Sequence, residues 1–344
     1  MKFDATIIGI GIAAGLASAL MSSGVVAEGG AVAGMTMVLY LLTPLPIFIA
    51  ALGWGSGAGI VAAAAATIAI GAAASPLVAL MMALTSYIPA ATGAYLSGLA
   101  RPAEEIGGPK DVMVWYPLPD IMFRLALMVA ASFIVIGVIL GFGPDMAREL
   151  GNTLLDRVAA SDPQFTVSAD LRDSLPTLLL VAIPTIQPAT CLAILAGNLC
   201  LALRLTRMSG RLRRPRDDWP ATLRMPRPAL FVFALALAAA FLPGGLGLAA
   251  TTVAGALGAG FTMAGLAVLH HRTRGKPWRP VALWLVYFAI LLFAFLLFVF
   301  MVLGLFDTSR GAPISRMPGS KMPGTDKPAD KQTDEPTDEP SDKP

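Results

Sequence analysis

From Ala5 to Ala100 the chain carries one side chain of the Asp, Glu, Lys, Arg or His type, Glu28. A water-soluble fold cannot leave so long a stretch uncharged, because its outward faces need polar cover to stay dispersed. Only 14% of the 344 residues are charged and 56% are hydrophobic, whereas an average soluble domain is about 25% charged. In lipid, every backbone polar group must find its partner within the protein, and single helices do this segment by segment. The fold class is therefore all-α: a polytopic transmembrane helical bundle of about 8–9 spans, with a disordered C-terminal tail.

Nine apolar segments are long enough, or nearly so, to cross a hydrocarbon core of about 30 Å, which takes about 20 helical residues. They are 5–23, 31–53, 57–74, 76–100, 121–143, 175–203, 228–245, 247–270 and 280–306. The first follows Lys2 and resembles a signal peptide, but Asp4 sits beside that lysine and the run can span, so a retained helix is expected. The stretch 206–227 holds seven arginines (Arg207, Arg211, Arg213, Arg214, Arg216, Arg224, Arg227), and 271–279 holds Arg272, Arg274, Lys276 and Arg279. Basic loops stay in the cytoplasm. An even number of crossings must separate these two, which makes 228–270 a hairpin.

Counting back places 144–174 outside, with three arginines and six acids, and 101–119 and Lys2 inside. Counting forward through nine crossings places the tail outside. The domain plan is a membrane domain over 1–307 and a tail over 308–344, where seven prolines and Thr-Asp-Glu-Pro repeats leave little apolar surface to repay ordering. In the 144–174 connection, Met146, Leu150, Leu154 and Val158 recur every four residues. That stripe predicts an amphipathic helix lying on the membrane or covering the bundle mouth.

Catalytic chemistry is hard to find. The only Gly-Lys pair, Gly275-Lys276, is followed by Pro277 and is not a phosphate loop. The two histidines, His270 and His271, sit together at a predicted helix end, and Cys191 and Cys200, nine residues apart, face opposite sides of one helix. Gly53-Trp54-Gly55-Ser56-Gly57-Ala58-Gly59 lies between two membrane segments with no strand before it, so it reads as a tight turn. No enzyme activity, metal, cofactor or nucleic-acid partner is expected. Ion-coupled pumps keep ionisable groups in their spans, and here only Arg124 comes near one, so any ligand is expected to be neutral.

Three features could carry function. Small residues four apart on the first helix, Gly11 and Gly15 on one stripe and Ala13 and Ala17 on another, allow close helix packing or contact with a partner. Thr43-Pro44-Leu45-Pro46 interrupts the second segment. Each proline removes a donor there, and the result is either a kink or a broken helix of the kind that builds ligand sites. Uncharged polar groups, among them Tyr87, Tyr95, Gln187 and Asn198, fall in apolar segments and must point into the bundle or a pocket, because an unpaired amide in lipid costs several kcal/mol. The candidate ligand set is Pro44, Pro46, Tyr87, Tyr95, Gln187 and Asn198. Arg211, Arg213, Arg214 and Arg216 are the candidate contacts to anionic lipid.

The order of several short motifs resembles the YybS-like family of bacterial membrane proteins, known as domain of unknown function 2232. They include Pro44-Leu45-Pro46 with Gly53-Trp54-Gly55, Trp115-Tyr116-Pro117 before Arg124, Gly210-Arg211-Leu212 with Arg214-Pro215, and Gly304-Leu305-Phe306-Asp307 with Arg310. The resemblance covers nearly all of 5–310 and implies a distant similarity to the substrate-binding components of energy-coupling-factor transporters. It implies a small-molecule site inside the bundle, with a membrane scaffold and ATPase subunits as partners and Ala13 and Ala17 facing that scaffold. The expectation is a multi-pass protein of the bacterial inner membrane, its N-terminus cytoplasmic, that binds a small molecule as a transport component. The alternative is a non-catalytic membrane scaffold or assembly factor.

Overall fold

The computed structural model describes residues 4–23, 33–162 and 166–310. Lys2, Glu28, Pro163 and the expected tail from residue 311 onward lie outside the described residues. The chain is a helical membrane protein: among the described residues, seven helices or helix pairs are long and apolar enough to cross a bilayer.

The first crossing is α1 (Ala5–Ser23). The second is split into α2 (Ala33–Leu41) and α3 (Leu45–Trp54). After α4 (Ser56–Ala73) comes a crossing assembled from α5 (Pro76–Met82), a π-helical turn over Ala83–Tyr87, and α6 (Ile88–Gly98). A short antiparallel ribbon, β1 (Ala100–Pro102) with β2 (Met113–Trp115), leads to α7 (Leu118–Leu140). Then follow α8 (Pro144–Ser161), α9 (Ala169–Met208), the single turn α10 (Trp219–Thr222), α11 (Arg227–Ala239) and α12 (Gly245–Arg272). The last two are α13 (Arg279–Leu292) and α14 (Leu296–Ser309).

Glycines set how closely these helices approach. A Cβ on Gly11 would come within 2.6 Å of Val61 Cβ, and one on Gly15 within 2.7 Å of Ala65 Cβ. Gly11 and Gly15 thus seat α1 against α4. The neighbouring stripe is different: Ala13 is exposed and Ala17 half-buried. Since Gly11 meets Val61 and Gly15 meets Ala65, α1 and α4 run in the same direction. The core beyond them is alanine-, leucine- and glycine-rich, with Phe48, Tyr87, Leu125, Leu199 and Phe261 fully enclosed.

Polar contacts fix the two faces. Arg214 donates to the carbonyls of Ser97 and Tyr116 (3.2 and 2.9 Å), which ties the 206–227 loop to the end of α6 and to the β-ribbon. Arg274 pairs with Asp218 of the same loop, and that guanidinium holds the Asp218 carboxyl below its ordinary range. The ends of α6, α9 and α12 and the start of α7 therefore share one face, called here the basic face, as the charge counting predicts. α1, parallel with α4, starts there too.

The hairpin over 228–270 is present, with Phe233 of α11 against Phe261 of α12 at 5.3 Å between ring centroids. α11 has 13 residues, about 20 Å at 1.5 Å per residue, so the turn over residues 240–244 completes its return to the start of α12.

The ninth segment departs from expectation. It is not one helix over 280–306 but two helices of 14 residues each, about 21 Å apiece and too short to cross. Arg224 of the basic loop pairs with Asp307 at 2.9 Å, so α14 ends on the face where α13 began. Gly265 and Gly304 meet at the α12–α14 crossing, where a Cβ on Gly265 would lie 2.7 Å from the Phe300 carbonyl carbon. The pair is a re-entrant hairpin, and the chain leaves α14 on the basic face, opposite to the side given by nine crossings. The helix also runs two residues past the expected boundary at 307.

Candidate functional site

Three helix distortions meet at one depth of the bundle, and each follows from proline chemistry. Around Thr43-Pro44-Leu45-Pro46 the helical pattern gives way to tighter bonds, Thr43 N–H to Tyr40 O and Leu45 N–H to Leu42 O, both 3-residue steps. The second crossing is therefore broken, not merely kinked. The break frees the Leu41 carbonyl, and Asn198 Nδ2 donates to it at 2.8 Å.

In the fourth crossing, Pro89 offers no N–H to the Thr85 carbonyl. The chain widens there into the π turn, with Ile88 N–H reaching back to Ala83, which also releases the Leu84 carbonyl. Ser132 Oγ donates to Leu84 O at 2.7 Å and Cys191 Sγ to Thr85 O at 3.2 Å. Pro184 and Pro188, inside α9, each leave one further carbonyl without its usual donor.

Between these distortions lie two adjoining cavities. The larger, of about 760 Å³, is lined by α2, α5, α7, α9 and α12, and by Met146 and Leu150 of α8. Those two residues belong to the expected amphipathic stripe. α8 thus covers the end of the bundle opposite the basic face, packing Gly151 against Pro176 of α9. The smaller, of about 340 Å³, shares Tyr40, Met82, Thr85, Phe133 and Gln187 with the larger and adds Thr43, Pro44, Ser86, Thr190 and Cys191. No Asp, Glu, Lys, Arg or His lines either one.

The polar groups here are short of partners. Among the described residues, the Gln187 amide and the hydroxyls of Tyr40, Ser86 and Thr190 have no protein hydrogen bond. Thr43 Oγ1 is sealed from solvent and also unpaired. An unpaired amide or hydroxyl at membrane depth costs several kcal/mol. Thr43 and Ser86 are buried, Tyr40 is half-buried, and Gln187 and Thr190 are exposed along the open side of the cavity, where water or a ligand can reach them and remove that cost.

The profile of a family described as predicted membrane protein (DUF2232) matches residues 25–308. The chain belongs to that family. No curated protein and no solved structure matches it. The matched span includes every cavity-lining residue of this family member.

The expected site residues separate into groups. Pro44 and Gln187 line the cavities. Pro46, half-buried in the first turn of α3, does not. Tyr87 is enclosed and its hydroxyl shares a 3.1 Å hydrogen bond with Ser22, and the Asn198 amide nitrogen is engaged by Leu41 and Ile194, so both act as internal ties. Tyr95 lies at the basic face, away from the cavities, beside the arginine loop.

Of the four loop arginines, Arg211, Arg213 and Arg216 are exposed. Arg214 is not a lipid contact: it is 4% exposed and forms a bidentate pair with Asp217 at 2.7 and 2.9 Å. The arginine count treats all four alike, although Asp217, three residues on, was the signal for this pairing. Tyr40, Thr85, Thr190 and Cys191 were not singled out as ligand contacts. The cavity that gathers them comes from segments far apart in sequence.

Proposed function

We propose that this chain is a membrane-embedded binding protein for a small, uncharged, amphipathic molecule, held between α2, α5, α7 and α9 and covered by α8. The observation that carries the reading is the unpaired Gln187 amide and its neighbouring free hydroxyls in a cavity of about 760 Å³ without a charged wall. Cavities of about 300–1,000 Å³ suit small-molecule ligands, with a few polar groups to orient them. A charged ligand would have no counter-ion there and would bear the desolvation cost unpaired.

A broken helix at mid-depth is a device transporters use for ligand sites. The resemblance read from the sequence motifs implies a distant kinship to substrate-binding components of energy-coupling-factor transporters, and on that reading the role is uptake, with the basic face in the bacterial cytoplasm and a scaffold and ATPase pair as partners. The chain then serves as a binder and not a catalyst.

Native mass spectrometry of full-length protein, gently extracted from membranes, tests the reading. The expected result is a neutral adduct on the order of a few hundred daltons, lost when Ala249→Phe fills the cavity while the melting temperature holds. An adduct-free wild type that riboflavin and pyridoxine also fail to stabilise would overturn it. Co-purifying partner proteins together with an empty cavity would favour the scaffold role.

A further inference from the structure

A separate cavity of about 430 Å³ opens at the basic face, where the end of α3, the start of α4, the end of α6, Trp115 and the arginine loop come together. Its walls hold Trp54, Tyr95 and Trp115, and its cations are Arg211, Arg213 and Arg214, with no Asp or Glu in the lining. Arg214 is neutralised by Asp217. Arg211 and Arg213 have no acidic partner among the described residues; the Arg211 guanidinium instead lies 4.4 Å from the centre of the Trp54 ring. Stacking occupies the face of a guanidinium and leaves its edge donors free for a bidentate acceptor.

The loop that presents these arginines is held in shape. Arg207 donates to the Pro215 carbonyl at 3.0 Å, and Arg214 anchors to the α6 end and to Tyr116. The start of α4 adds a donor. Gly55, at φ 96°, has no side chain to cap the helix, and the first intrahelical bond is Ala58 N–H to Gly55 O. The Ser56 N–H is thereby left without an acceptor on the cavity wall.

We propose that this cavity binds a phosphate ester: Arg211 and Arg213 grip the phosphate, Ser56 N–H donates to it, and the aromatic walls cover the attached organic group. Two unpaired guanidiniums sharing a small space repel one another, and a phosphate relieves that repulsion while accepting several charge-assisted hydrogen bonds. The phosphate has two possible sources, the headgroup of a membrane phospholipid or a soluble phosphate ester.

The test uses full-length protein in dodecyl maltoside micelles, which carry no phosphate, and follows tryptophan fluorescence, since Trp54 and Trp115 line the site. One arm titrates dihexanoyl phosphatidylglycerol, the other adenosine 5′-monophosphate. The expected result is a saturable change in at least one arm, weakened about tenfold or more by Arg211→Gln with Arg213→Gln and untouched by Arg272→Gln, exposed at the end of α12 and outside the cavity. Response in the lipid arm alone assigns a headgroup site, and in the nucleotide arm alone a soluble ester. Should the double variant fold poorly, Ser56→Pro removes one donor at the first helical position, where proline is tolerated, and must weaken binding as well. No saturable response in either arm, or undiminished affinity in the well-folded variants, overturns the proposal.

Discussion

Replacing Arg214 with Ala tests whether the arginine loop is a folded part of the bundle or a loose basic segment. Four hydrogen bonds depend on this side chain: two to Asp217 at 2.7 and 2.9 Å, one to Ser97 O at 3.2 Å and one to Tyr116 O at 2.9 Å. Removing one member of a buried ion pair costs about 3–5 kcal/mol, mostly because its partner is left uncompensated. The Asp217 side chain retains 19% exposure and regains some water, which puts the loss near the lower end. A loss of about 3 kcal/mol is roughly a hundredfold in the unfolding equilibrium. Arg213→Ala, exposed and unpaired, changes stability by less than about 0.5 kcal/mol.

SDS titration of the protein in mixed micelles, read by circular dichroism, measures both. The double variant Arg214→Ala with Asp217→Ala should recover part of the loss, since no carboxylate is then stranded. Equal stability of the Arg214→Ala and Arg213→Ala proteins would refute the reasoning, as would strictly additive losses in the double variant.

Two further outcomes follow from the helix contacts. Gly304→Leu places a branched side chain where even a Cβ would sit 2.8 Å from the Phe261 carbonyl carbon, so α14 must separate from α12. The expected effect is a fall in stability of about 1–3 kcal/mol or more in the same titration, with Gly197→Leu, in open space, as the neutral comparison. In a protein with Cys191 and Cys200 replaced by Ser, single cysteines at Ser209 and Ser309 should react with an impermeant maleimide from one side of the membrane, and one at Arg157 from the other. Labelling of Ser309→Cys from the Arg157 side would restore nine full crossings.

Much of the architecture was legible because lipid imposes simple rules. The single charge between Ala5 and Ala100, the two arginine loops and the four-residue stripe on α8 each dictated an element or a face that the structure contains. The re-entrant turn was not legible. Leu291 to Leu297 is an unbroken apolar run with no glycine or proline, and hydropathy cannot register a turn made of Phe293, Ala294 and Phe295. What directs α14 back is a contact far away in sequence, Gly265 with Gly304, together with the Arg224–Asp307 pair.

The candidate site was half legible. Pro44 and Gln187 announce themselves as a breaker and a polar group in an apolar run. The roles of Ser132 and Cys191 depend on carbonyls that only the π turn releases, and no local pattern marks them.

The α13–α14 hairpin also affects the surrounding lipid. Because it enters from the basic side and turns back before reaching the far side, it displaces acyl chains from one leaflet and leaves the other nearly untouched. Its exposed Trp284, Phe288, Phe295 and Phe298 set bulky aromatic side chains against the acyl chains of that leaflet alone.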